Sequence, residues 1–164
     1  MLPVFLIPAL IAPALETDIP QTMELRRGTF VLKGFPAAAH IAAMRREHIT
    51  HVICICRDGD PGFNPDAENR ALSDAGILFS RVACKRAPTA DDFELYRMIR
   101  NSLPRDARVL THCTDGNRAA VVVVAYLAAE GLVKRTEAVA LARKAGMIHP
   151  DSEQALKSYL KLES

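Results

Sequence analysis

Short runs of β-branched and aromatic residues alternate along the chain with longer stretches of helix formers. Thr29–Leu32 reads as a strand ended by Gly34, and Pro36 stands where a helix over Ala37–His48 begins. Thr50–Cys56 is short and rich in β-branched residues, as a buried strand is. A loop of turn formers follows (Asp58, Gly59, Asp60, Pro61, Gly62, Pro65), then a helix over Asp66–Ala75 closed by Gly76. Ile77–Cys84 is again strand-like. Pro88 and Thr89 precede a helix that opens on Asp91 and Asp92 and runs to Leu103. Arg108–His112 reads as a strand and Arg118–Glu130 as an almost wholly apolar helix capped by Gly131. Val121–Val124 has poor helix propensity, so a strand is a local alternative there, but the surrounding Ala and Leu favour a buried helix. Helices over 134–145 and 152–162 close the chain. This alternation predicts an α/β fold, with a central, mostly parallel sheet flanked by helices.

Residues 1–15 carry no charged side chain, and Pro3, Pro8 and Pro13 break any continuous helix across them. The expected organisation is an apolar, proline-containing arm over residues 1–28 and one domain over residues 29–164. Such an arm packs on its own domain or on a partner, so a dimer formed through it is an expectation. Ala12-Pro13-Ala14 is like a signal-peptide cleavage site, yet no basic leading region precedes the apolar stretch. A cytoplasmic protein is therefore expected, with secretion or membrane association through the apolar N-terminus as the alternative. Across 164 residues, 21 Lys and Arg against 19 Asp and Glu leave a net charge of +2, which argues against nucleic acid as a partner. The 4 cysteines form no disulfide framework and suit a reducing compartment. No apolar run is long enough for a transmembrane helix.

The chemistry gathers in Thr111-His112-Cys113-Thr114-Asp115-Gly116-Asn117-Arg118, where a strand feeds a short polar loop and then a helix. Backbone N–H groups of a tight loop at a helix N-terminus converge on an anion. A cysteine among them is expected to have its pKa depressed toward a thiolate. Gly116 supplies the backbone angles of the turn, and Arg118 offers a planar fork matched to two phosphate oxygens. Thr114, Asp115, Gly116, Asn117 and Arg118 are thus the expected anion-binding set, and Cys113 the nucleophile.

His-Cys at a strand end, Gly three residues on, then Arg and an apolar helix resembles the cysteine-based protein tyrosine phosphatases, the dual-specificity branch most closely. The likeness covers roughly Thr29–Leu162 and includes ITHVICIC, APTADDF and RAAVVVVAYL. It implies that Cys113 attacks phosphorus to form a cysteinyl-phosphate, that Arg118 holds the phosphoryl oxygens, and that His112 helps lower the thiolate pKa. It also implies a phosphorylated protein or an anionic small molecule or lipid, such as a phosphoinositide, as substrate. Neither a metal nor an organic cofactor is expected, because nucleophile and anion clamp are both protein groups.

Three departures stand out. Only 4 residues separate Cys113 from Arg118, one fewer than in the family pattern. Ala119 replaces the usual Ser or Thr, and Ala83–Pro88, where the family's Asp general acid would lie, holds no carboxylate. Asp115 is a substitute acid, since CTDG is similar to the CSDG of the myotubularin lipid phosphatases; a purely structural loop Asp is the competing reading. Asp91 and Asp92 are nearby carboxylates whose other role is to stabilise a helix N-terminus. Lys85 and Arg86 occupy the acid's loop and are expected to make the pocket mouth cationic. The short loop also resembles the rhodanese sulfurtransferases, whose cysteine carries a persulfide. A weakly active, phosphate-binding pseudophosphatase is a third reading. Cys54 and Cys56 share a strand face and are expected to pack as small hydrophobes.

Overall fold

The computed structural model describes residues 17–26 and 28–162; most of the apolar arm, residues 1–16, lies outside the described residues. Among these residues five strands form one sheet: β1 (Thr22–Arg26), β2 (Thr29–Lys33), β3 (His51–Cys54), β4 (Leu78–Arg81) and β5 (Val109–Cys113). Their spatial order is β1-β2-β5-β3-β4, with β1 antiparallel to β2 and every other pairing parallel. The expected α/β architecture is therefore present. The sheet, however, begins before Thr29: the short alternating stretch TMELR pairs with β2, and Ile19 ahead of it is buried in the core.

Among the described residues six α-helices cover the sheet: α1 (Ala38–Arg46), α2 (Pro65–Asp74), α3 (Ala90–Ser102), α4 (Asn117–Ala129), α5 (Ala138–Ala145) and α6 (Pro150–Leu160). One core cluster gathers Phe30, Leu32, Val52 and Leu110 with Met44 of α1 and Leu72 of α2. The other gathers Val31, Ile53 and Val109 with Phe93, Tyr96 and the buried residues of α4, α5 and α6. Strand alternation divides the two sets between the faces of the sheet. The valine run of α4 is helical because that helix is buried almost all round, from Asn117 to Ala125. Burial of each Val side chain is worth about 1.5–3 kcal/mol, which outweighs a propensity deficit of a few tenths. Thr111 is also fully buried, and its hydroxyl pairs with Tyr96 of α3 at 2.8 Å.

Parallel pairing puts the C-terminal ends of β2, β3, β5 and β4 along one edge. Leu32 and Cys54 both lie level with His112, so the loops after β2, β3 and β5 open side by side. In open parallel sheets ligands bind outside these strand ends.

Candidate active site

The loop after β5 is Thr114–Gly116, and α4 begins at once with Asn117. Gly116 caps it at φ +85°, and a Cβ there would lie 2.8 Å from Lys33 Cγ and 3.2 Å from Lys33 Cα. Both the left-handed angle and the close pass of β2's end demand glycine. The tight turn brings the backbone amides of Asp115 and Ala119 near the Cys113 sulfur. Asp115 Oδ1 accepts the Asn117 N–H at 2.9 Å and faces the Cys113 thiol at 3.4 Å.

Cys113 is buried, and that burial pushes its thiol up. The Asp115 and Ala119 amides and the Arg118 charge pull it down, while the Asp115 carboxylate pushes it up again; the balance is upward. The direction is opposite to the expected depression, because desolvation of the buried sulfur outweighs the amides and the guanidinium.

Arg118 enters from the first turn of α4, 6% exposed. Nη1 donates to the Cys84 carbonyl at 2.9 Å, and Nη2 donates to Asp60 Oδ2 at 2.6 Å and to Thr114 Oγ1 at 3.3 Å. Asp60, in the loop after β3, is thus the residue that composition missed. Read in sequence, Asp58-Gly59-Asp60-Pro61 is a turn; in space it meets α4 because β3 and β5 are neighbours. Burial works to raise the Asp60 carboxyl, but bonds from Arg118 and Arg57 outweigh it and hold it below the usual carboxylate range.

A pocket of about 170 Å³ opens here, lined by Thr114, Asp115, Asn117 and Arg118 of the loop and helix, with Asp60, Arg57, Arg86 and His149 around them. Arg86 stands at its mouth but pairs with Asp151 at 2.8 Å, and Lys85 is exposed outside the lining. Asn117 braces the rear: its Nδ2 donates to Ser152 Oγ at 2.9 Å, and its Oδ1 accepts the N–H groups of Ile148 and His149 at 2.9 and 3.1 Å. Asp92 serves α3 in a reciprocal cap, accepting from Thr89 N–H at 2.8 Å while Thr89 Oγ1 accepts from Asp92 N–H at 3.4 Å.

His112 follows the strand alternation onto the face opposite Cys113, where Nε2 meets Glu68 Oε1 at 2.5 Å. Its ring therefore lies on the other side of β5 from the sulfur. His112, Cys54 and Cys56 bring three donor atoms within 4.8 Å of one another, all buried. Interaction with the Cys56 side chain, together with burial, raises the Cys54 thiol well above the ordinary range, while the Cys56 thiol is lowered by the same pairing and by Arg118. Nε2 of His112 is engaged by Glu68, while its Nδ1 is buried with no hydrogen-bond partner among the described residues. All 4 cysteines are free and buried.

A DUF442 protein of Shewanella putrefaciens superposes with a TM-score of 0.72 at 19% identity, over 88% of this chain and 93% of that one. The core catalytic domain of the PP-IP phosphatase SIW14 of S. cerevisiae gives 0.70 at 13% identity, over 89% and 88%. PTPMT1 bound to PI(5)P gives 0.70 at 18% identity, over 86% and 95%. This is the dual-specificity-phosphatase-like fold. No family model matches the chain, and no curated protein does. The second of these neighbours is named as a PP-IP phosphatase, so the chain shares its fold with a phosphatase. Among the described residues no helix is long and apolar enough to cross a membrane.

Proposed function

We propose that the chain is a cysteine-dependent phosphoric monoester hydrolase. The observation that carries this reading is the single turn that sets the Cys113 thiol against the Asp115 carboxylate at the start of α4, from whose first turn Arg118 is held by Asp60 and the Cys84 carbonyl. A phosphoryl group in the pocket takes the Arg118 fork and the loop amides as hydrogen-bond donors. Cys113 attacks phosphorus, the P–O bond to the leaving group breaks, and a cysteinyl-phosphate forms. Water then attacks phosphorus and frees phosphate and the thiol. Thr114 and Asn117 shape the loop, and the proton needed by the leaving oxygen comes from the Asp115 side of the pocket. His112, bonded to Glu68, holds the end of β5 in place.

The substrate class is an anionic monoester: a phosphoinositide or inositol-phosphate-like small molecule, or a phosphoprotein. Support comes from fold neighbours named for PP-IP hydrolysis and for a PI(5)P complex. Arg57 and Arg86 at the mouth add positive charge, moderated by Asp60 and Asp151.

The test sets release of phosphate from an aryl phosphate against sulfur transfer from thiosulfate to cyanide, for the native chain and Cys113→Ser. Ester hydrolysis abolished by Cys113→Ser is the expected result. Sulfur transfer alone would move the chain to the sulfurtransferases, and phosphate binding with neither activity would leave a binding module.

A further inference from the structure

The acid missing from Ala83–Pro88 has a counterpart across the pocket. His149 precedes α6, far from the loop in sequence, and its N–H bond to Asn117 Oδ1 ties it to the first residue of α4. Nε2 stands 3.6 Å from Asp115 Oδ2, while the other oxygen of that carboxylate, Oδ1, accepts the Cys113 thiol at 3.4 Å. Sulfur, carboxylate and imidazole therefore form one continuous line. The side chains of His149 and Asp115 are 34% and 43% exposed, so neither is locked in place by packing. Nδ1 has no hydrogen-bond partner among the described residues. The ring also lines two cavities at once: the Arg118 pocket, and an open groove of about 660 Å³ flanked by Met147, Ile148 and Pro150. A phosphoryl group held at Arg118 with its leaving group in that groove would place the scissile oxygen beside the imidazole.

We propose that Asp115 and His149 relay the Cys113 proton to the leaving oxygen, with His149 as the catalytic donor; this rests on the phosphatase reading above. In the first step the S–H proton passes to Asp115, a proton passes from Asp115 to Nε2, and the Nδ1 proton goes to the leaving oxygen. The S–P bond forms and the P–O bond breaks, so one thiol proton is exchanged for one alcohol proton. In the second step water attacks phosphorus, its proton enters at Nδ1, and the relay runs backwards to return a proton to sulfur. Burial of the thiol gives the relay its purpose, because a sulfur that keeps its proton needs a base within reach.

Leaving-group dependence tests it. Dinitrophenolate departs without a proton, whereas the leaving oxygen of phenyl phosphate needs one. His149→Gln should lower turnover of phenyl phosphate about 10²–10⁴-fold, and by far more than that of dinitrophenyl phosphate. Imidazole added to the buffer should restore part of the loss, which a purely structural defect would not allow. Equal loss on both esters, or no loss on either while turnover still requires Cys113, overturns the relay alone. Failure of the native chain on both esters, or activity that survives Cys113→Ser, overturns the phosphatase reading and the relay with it.

Discussion

At Asp60 a carboxylate with 8% side-chain exposure meets a guanidinium with 7%, at 2.6 Å. Both charges are largely shut off from water and rely on protein partners, each being the other's main one, with Arg57 also on Asp60 and the Cys84 carbonyl also on Arg118. Breaking such a pair from one side is costly, because it strands the remaining ion. Asp60→Ala should therefore destabilise the fold by about 3–5 kcal/mol in denaturant unfolding. Inorganic phosphate should recover part of this by giving Arg118 another anion; an equal loss with and without phosphate would separate Asp60 from the site. The sign of the pH effect follows from the lowered carboxyl. A group more acidic in the folded state stabilises the fold above its unfolded pKa, and that stabilisation is lost as pH falls through the folded one. The native chain should lose this contribution on acidification, and Asp60→Asn should lack that part of the acid limb.

Asn117 extends the argument from a residue to the join between elements. One amide at the start of α4 satisfies Ser152 of α6 and two N–H groups of the α5–α6 connection. Asn117→Ala strands those donors in a place where Asn117 itself is 1% exposed. The expected cost is about 2–4 kcal/mol in thermal or chemical unfolding, because a buried unsatisfied donor carries its desolvation penalty. A loss within a few tenths would mean that water replaces the amide. The elements themselves were legible from local rules: turn formers end them, Thr89 stands at the start of α3, and apolar runs fill their interiors. β1 was not, because an edge strand of five residues beside an apolar N-terminal stretch carries little local signal and is defined by its partner β2.

Across the whole molecule, what was readable depended on sequence distance. Cys113, Asp115 and Arg118 were visible because one turn holds all three. Asp60 and His149 were not, because they reach the turn only through the β5–β3 neighbour pairing and the packing of α6 on α4. The upward balance of the Cys113 thiol was hidden for a related reason: the amides are encoded locally, but burial is a property of the complete fold. The two core clusters lie on opposite faces of one sheet and share its strands, so the described residues should unfold in a single transition. Far-UV circular dichroism is a suitable probe, since the chain contains 0 Trp. An anion that binds only the assembled pocket must stabilise that whole unit, by about 2.7 kcal/mol when its concentration is a hundred times its Kd. Phosphate should raise the unfolding midpoint of the native chain and of Cys113→Ser alike, because binding needs the amides and the guanidinium but not the nucleophile. Arg118→Met should abolish the shift. If the shift survives in Arg118→Met, the anion is held elsewhere on the protein, and the pocket after β5 loses its claim to be the site.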